Sequence, residues 1–237
     1  MNLTLILAIY FSGLLAGIIL INLNKILVLS SYSNSKSSES KSSGILFNKD
    51  FIRPSMSKMI SDADFSIKAL IFVNINAFSW IIAGFVHEMS LKLVTIAFLI
   101  TIASLISFTD LAVRKIPNIY IGLAGIVGVA ATFTGIYNVS IGMHIAGLIA
   151  GSLIFIVPYM LNQGVGAGDV KFLAVIGLIL GFENMLTAVM IMGITIILFV
   201  TGMVIVRRDF KETMKMNIPL GPFISIGFVA SLLASNI

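Results

Sequence analysis

Two acidic residues of this chain stand where acids are expensive. Asp110 closes the apolar run Leu91–Thr109, and Asp169 opens another behind Gly164-Val165-Gly166-Ala167-Gly168. A carboxyl group at membrane depth costs a few kcal/mol, so it marks a functional site by default. The other eight of the 10 acids, Glu39, Asp50, Asp62, Asp64, Glu88, Glu183, Asp209 and Glu212, fall in connecting segments and read as solvated charges. Two carboxyls that share a site do not readily both ionise, so one keeps its proton. The ionised member can then take a proton from an attacking water while the protonated member polarises a peptide carbonyl, a chemistry that needs neither metal nor covalent nucleophile. At Asp169 the helix start favours the ionised form and burial the neutral one, so the two acids are read as one coupled dyad. A transporter is the competing reading, with the same acids relaying protons or binding a cation at a broken helix. Its sites belong near the bilayer midplane on repeat-related helices, whereas no internal repeat is apparent here.

Gly164, Gly166 and Gly168 supply the backbone freedom such a site needs. Non-helical chain at membrane depth is tolerated only where it is buried or lines a wet cavity, and glycine allows both the turn and the close approach of an extended substrate. Glycines alone would signal no more than packing or a hinge. Attached to Asp169, they point to a site.

The elements that must position these residues are helices in a bilayer. Hydrophobic residues make up 58% of the 237-residue chain and charged ones 11%, against about 25% charged in soluble domains. An all-α polytopic membrane protein is therefore expected. With about 20 apolar residues per crossing, eight segments emerge: Leu3–Leu29, Ser66–Val86, Leu91–Thr109, Asn118–Tyr137, Ile141–Leu161, Val170–Phe182, Met185–Val206 and Pro219–Ala234. The sixth is too short to cross unless the glycine stretch lies in the membrane too. The first lacks a basic leader region and a cleavage site, so it is read as a retained helix. Three parts follow: a first helix (1–29), a Ser/Lys-rich flexible loop (30–65), and a membrane-embedded core (66–237). Every Lys and Arg except Lys92 falls on one side of this arrangement, which makes that side cytoplasmic and places both termini outside. The net charge of +5 is thus topological, and with no basic face or binding motif a nucleic-acid partner is excluded. Counting back ~20 residues from Glu183 sets the inner boundary near Gly164 and Asp169 roughly 8 Å inside it. Asp110 ends an inward-running segment, so both acids lie at the cytoplasmic face of the inner membrane.

With no cysteine in the chain, disulfides, Cys-ligated zinc, iron–sulfur chemistry and a thiol nucleophile are excluded. With two histidines, a His-rich metal site is not expected either. His144 reads as a packed, hydrogen-bonded histidine in preference to a relay. Asn74, Asn76 and Ser79 form a polar stripe that suits either the active cavity or interhelical hydrogen bonds. The small-residue stretches Gly13–Gly17 and Gly147–Gly151 read as packing within one chain in preference to a dimer contact. Asn162 and Gln163 border the glycine loop as candidate contacts to substrate backbone. Arg114 and Lys115 read as topological charges.

Three stretches together resemble a known family, the type IV prepilin peptidases of the GxGD class of intramembrane aspartyl proteases. Gly164 to Ala174, continuing to Gly177 and Gly181, is similar to the family's Gly-x-Gly-x-Gly-Asp-x-Lys segment. Asp110-Leu111-Ala112-Val113-Arg114-Lys115-Ile116-Pro117-Asn118 resembles its first-aspartate segment, and Ile218-Pro219-Leu220-Gly221-Pro222-Phe223 its entry to the last helix. The resemblance implies that Asp110 and Asp169 are the catalytic pair. Gly164, Gly166, Gly168 and Lys171 would be motif residues that position the site, supported by Pro117, Asn118, Pro219 and Gly221. Substrates would be prepilins or pseudopilins of pilus or secretion systems, cut between a basic leader and an apolar helix at the cytoplasmic face. A signal-peptide-type intramembrane protease, which cuts within a helix, is the neighbouring alternative. Many members also carry paired Cys-x-x-Cys motifs in the first loop and methylate the new N-terminus with S-adenosylmethionine. This chain departs from them there, so S-adenosylmethionine enters only if methylation is retained, while cleavage by the acid pair is expected to need no cofactor.

Overall fold

The computed structural model describes residues 4–19, 21–22, 63–87, 90–134, 139–161, 163–207 and 218–234. The regular structure there is helical: α1 (Thr4–Ile19), α2 (Ala63–Val86), α3 (Leu91–Val113), α4 (Asn118–Phe133), α5 (Ile141–Met160), α6 (Ala167–Arg207) and α7 (Gly221–Ala234). The all-helical expectation is met among the described residues. By length and apolarity, α2 from Ala69, α3, α5 and α6 are able to cross a bilayer, while α1, α4 and α7 are shorter apolar helices. Most of the 30–65 loop, with nearly all its charges, lies outside the described residues, as do Asn162 and the 208–217 connection.

The central helix is α3. Apolar around its whole circumference, it is buried at nearly every position from Ile96 to Asp110, as a helix surrounded by others must be. Exposed apolar side chains such as Phe11, Phe78, Ile126, Phe133 and Met190 lie outside it, a surface suited to lipid and not to water.

At 1.5 Å per residue, α6 would stretch about 60 Å, twice the hydrocarbon core, were it straight. It is not straight. Gly181 has φ 75 and ψ 172, a conformation reserved to glycine, and it divides α6 into a first leg (167–180) and a second (182–207). In the first leg, Gly177 lies against Gly147 of α5 and Leu173 against Gly151, so the two elements run antiparallel. In the second leg, Phe199 meets Phe223 of α7 at 5.3 Å between ring centroids, and the Asn184 carbonyl accepts the Ser231 hydroxyl at 2.8 Å. That pairing is antiparallel as well. Because α7 also opposes α3, through Ser225 Oγ donating to the Ala103 carbonyl at 3.0 Å, the second leg runs parallel to α3 and the first runs against it. The chain doubles back at Gly181. The apolar segments Val170–Phe182 and Met185–Val206 place this break at Glu183–Asn184. The structure moves it two residues earlier, because the positive φ falls on Gly181.

The α5–α6 contact depends on missing side chains. A Cβ on Gly147 would strike the Gly177 carbonyl, and one on Gly177 the Gly147 carbonyl. His144 anchors the same seam: its Nδ1 lies 2.8 Å from the Leu178 carbonyl, which can only accept, so Nδ1 carries the proton. The packed reading of His144 therefore holds. Likewise Gly13 abuts Ala77 and Trp80, and Gly17 abuts Val73, so both small-residue stretches pack within the chain. The polar stripe of α2 serves α1: Asn76 Nδ2 donates to the Gly13 carbonyl at 3.0 Å, and Tyr10 Oη donates to Asn74 Oδ1 at 2.9 Å. Ser79 bonds its own helix at Ile75.

Candidate active site

Asp110 occupies the last turn of α3, and because α3 is enclosed by its neighbours the side chain is only 6% exposed. Arg114 ends the helix in the left-handed region at φ 54, ψ 38, with its N–H still bonded to the Asp110 carbonyl at 2.9 Å. Lys115-Ile116-Pro117 then turns the chain into α4, with Pro117 extended at φ −65, ψ 129 just before Asn118. The partner of the Asp110 side chain comes from far along the sequence. Gly221 begins α7, where the first N–H groups of a helix have no intrahelical acceptor, and its N–H donates to Asp110 Oδ2 at 2.8 Å. A Cβ on Gly221 would lie 2.8 Å from both Asp110 Cβ and Oδ2. Pro219 precedes the helix, and Pro222, in its first turn, needs no N–H there.

Asp169 is the third residue of α6, and it reaches back. Gly166 N–H donates to Asp169 Oδ2 at 2.9 Å, while the Asp169 N–H donates to the Gly166 carbonyl at 3.1 Å. The Asp169 side chain makes the N3 half of a capping box, and because Gly166 has no side chain its backbone carbonyl takes the Asp169 N–H instead. The three glycines divide the work. Gly164 takes φ +79 to turn the loop, and Gly166 supplies the cap. Gly168, expected before the helix, sits in its first turn instead, where a Cβ would lie 3.0 Å from Ile116 Cβ. The helix starts at Ala167 and not at Val170 because Gly166 can cap it there.

The contact of Ile116 with Gly168 brings the segments that carry Asp110 and Asp169 together at one end of the bundle. Lys171 Nζ also joins their surroundings, donating to Asn118 Oδ1 at 3.1 Å. Of the sequence-derived residues, Gly221, Gly166, Gly168, Lys171 and Asn118 thus meet at this end of the bundle, and Pro117 and Pro219 shape the chain entering it. Gln163 is exposed, with its N–H on the Pro158 carbonyl at 3.0 Å. Ile116 stands in the first-aspartate stretch as its aliphatic residue before Pro117, and nothing in its type marks the contact to Gly168. Among the described residues no three His, Cys, Asp or Glu side chains gather as a metal site requires.

An all-helical bundle with an apolar exterior and four helices long and apolar enough to cross a bilayer fits a membrane protein, and one end of it holds two carboxyls bonded to glycine N–H groups. Residues 94–206 match the model of the type IV leader peptidase family. This stretch runs from the early turns of α3 to the end of α6 and includes both aspartates, and over it the chain is similar to that family. The third motif, Ile218–Phe223, lies beyond the match. No curated protein and no solved structure matches the chain.

Proposed function

We propose that this protein is an aspartic prepilin peptidase, with Asp110 and Asp169 as its catalytic dyad. The observation that carries the reading is that the two acids, 59 positions apart in sequence, meet at one end of the bundle, with one oxygen of each held by a glycine N–H. Two short backbone-fixed carboxyls leave their remaining oxygens for water and substrate. The ionised member takes a proton from water as the water oxygen bonds to the scissile carbonyl carbon, and the protonated member stabilises the carbonyl oxygen. When the C–N bond breaks, the proton taken from water passes to the departing amine. Every atom is accounted for by substrate, water and the two carboxyls, and no cofactor is required.

The substrate class is a prepilin or pseudopilin, cut between a basic leader and an apolar helix. Counting the two legs of α6 separately gives eight crossings, and the Lys/Arg distribution puts the acids at the cytoplasmic face of the inner membrane with both termini outside. S-adenosylmethionine-dependent methylation would belong to the first loop, most of which lies outside the described residues.

Membranes bearing the wild type, Asp110→Asn or Asp169→Asn, incubated with a prepilin and read by N-terminal mass analysis, test the reading. Cleavage at the leader boundary by the wild type and by neither variant is expected, with chelators having no effect. If either variant processes substrate at the wild-type rate, the dyad is wrong, and a cut inside the apolar helix would transfer the protein to the signal-peptide-type proteases. Proton or cation uptake into vesicles that is lost in the double variant would instead support the transporter.

A further inference from the structure

The two acids are carried by separate helices, and something must set the gap between them. Asp110 is held by α7 and Asp169 by its own loop, so neither of these bonds joins one acid-bearing element to the other. Two other contacts do. Directly downstream of Asp110, Ile116 rests against Gly168, where even a methyl group would come within 3.0 Å. Two residues further on, Asn118 Oδ1 accepts the Lys171 ammonium at 3.1 Å. Gly168 and Lys171 lie on either side of Asp169 in the first turns of α6, and Ile116 and Asn118 lie on either side of Pro117, which stiffens the connector between them.

We infer that Lys171 and Asn118, together with the Ile116–Gly168 contact, form a latch that sets the separation of Asp110 and Asp169. This rests on the peptidase reading. Lys171 is then a positioning residue and not a substrate contact. The physical case is one of reach and rigidity. A lysine at the lip of the site could swing freely in water, but here its ammonium bridges from the first leg of α6 to the start of α4, across 53 residues of chain. Because α4 follows the acid-bearing helix α3 through only four residues, Arg114 to Pro117, a tether at Asn118 restrains the end of α3. The glycine at 168 lets the connector lie against α6, and the ammonium holds it there. Charge-assisted hydrogen bonds are the ones with enough strength and direction for this, and a dyad misplaced by about 1 Å loses up to a hundredfold in rate.

The test uses full-length protein in membranes and two readouts. In prepilin cleavage, Lys171→Met and Asn118→Leu should each lower kcat about tenfold or more while KM stays within twofold, the double variant should be no slower than the worse single one, and the pH–rate profile should change shape. Asn118→Asp, which keeps an acceptor for the ammonium, should retain most of the rate. A KM effect confined to Lys171→Met, additive with Asn118→Leu, would make the lysine a substrate contact and overturn the latch. The second readout does not depend on peptidase activity. The chain has no cysteine, so nitroxide labels on Gly122→Cys, where a Cβ meets nothing within 4 Å, and on Ala167→Cys report the α4–α6 gap directly. The distance distribution should be narrow in the wild-type background and broader with Lys171→Met. An unchanged distribution refutes the latch even if the protein proves not to be a peptidase. A broadened distribution in a protein that cleaves no prepilin would sink the catalytic reading and leave the latch standing.

Discussion

Gly221→Ala isolates the hold that α7 has on Asp110. The added methyl carbon would sit 2.8 Å from Asp110 Cβ and Oδ2 and 3.0 Å from Cγ, well inside the 3.5–4.0 Å at which carbon atoms pack. Asp110 cannot yield by rotating alone, because its Cβ is fixed to the backbone of a buried helix. Either α7 moves out or the carboxyl turns away, and both break the 2.8 Å bond from the Gly221 N–H. Overpacking a tight site costs about 1–3 kcal/mol, and losing a buried hydrogen bond to a carboxyl about 1–3 kcal/mol more. Relaxation will recover part of this, which leaves about 2–4 kcal/mol of stability lost. If half of that loss appears in the transition state, kcat falls about tenfold. The assay is cleavage of a prepilin by membranes with matched enzyme amounts, alongside thermal melting of the purified protein. A Gly221→Ala variant that cleaves and melts like the wild type would refute the placement of α7 against Asp110.

Other outcomes follow from the same structure. Gly177→Val should fail to accumulate, or melt far below the wild type, since its Cβ would enter the Gly147 carbonyl; a normal melting temperature would dissolve the α5–α6 seam. Arg114→Gly should raise the melting temperature by a few degrees, because a residue with a Cβ held at φ 54 gives up about 1 kcal/mol that glycine does not; an unchanged or lower value would remove the strain argument. At the opposite end of α3, the 9%-exposed His87 has its pKa lowered below 6.5 by burial first and by Lys92 second, against an opposing hydrogen bond with the Leu232 backbone. The unfolded chain binds that proton more readily than the folded one, so stability should decline as pH falls through 6.5, and His87→Gln should flatten the decline. Melts recorded between pH 8 and pH 5 that show no difference between the two would remove this contribution.

The acids, the glycines before Asp169 and the apolar runs were legible because each breaks or follows a local rule: a charge in an apolar run, backbone freedom beside it, about 20 apolar residues per crossing. Helix type follows from the same logic, since lipid leaves backbone groups no partner but their own segment. The packing of Gly147 and Gly151 was legible as well, because small residues four apart form a flat helix face. Other features depended on residues distant in sequence. The helix that holds Asp110 begins 111 positions later, and the amide that Gly221 presents is a backbone group with no side-chain signature. Lys171 read as a motif lysine until Asn118 was found beside it. Gly181 became a reversal, and Ile116 a contact to Gly168, only once neighbouring helices had fixed their surroundings. Sequence alone thus determined which residues could do chemistry and that helices in a membrane must carry them. Tertiary structure decided which backbone groups hold those residues and across what gap, because hydrogen-bond partners and close contacts are set by distance in space, which the order of residues along the chain does not record.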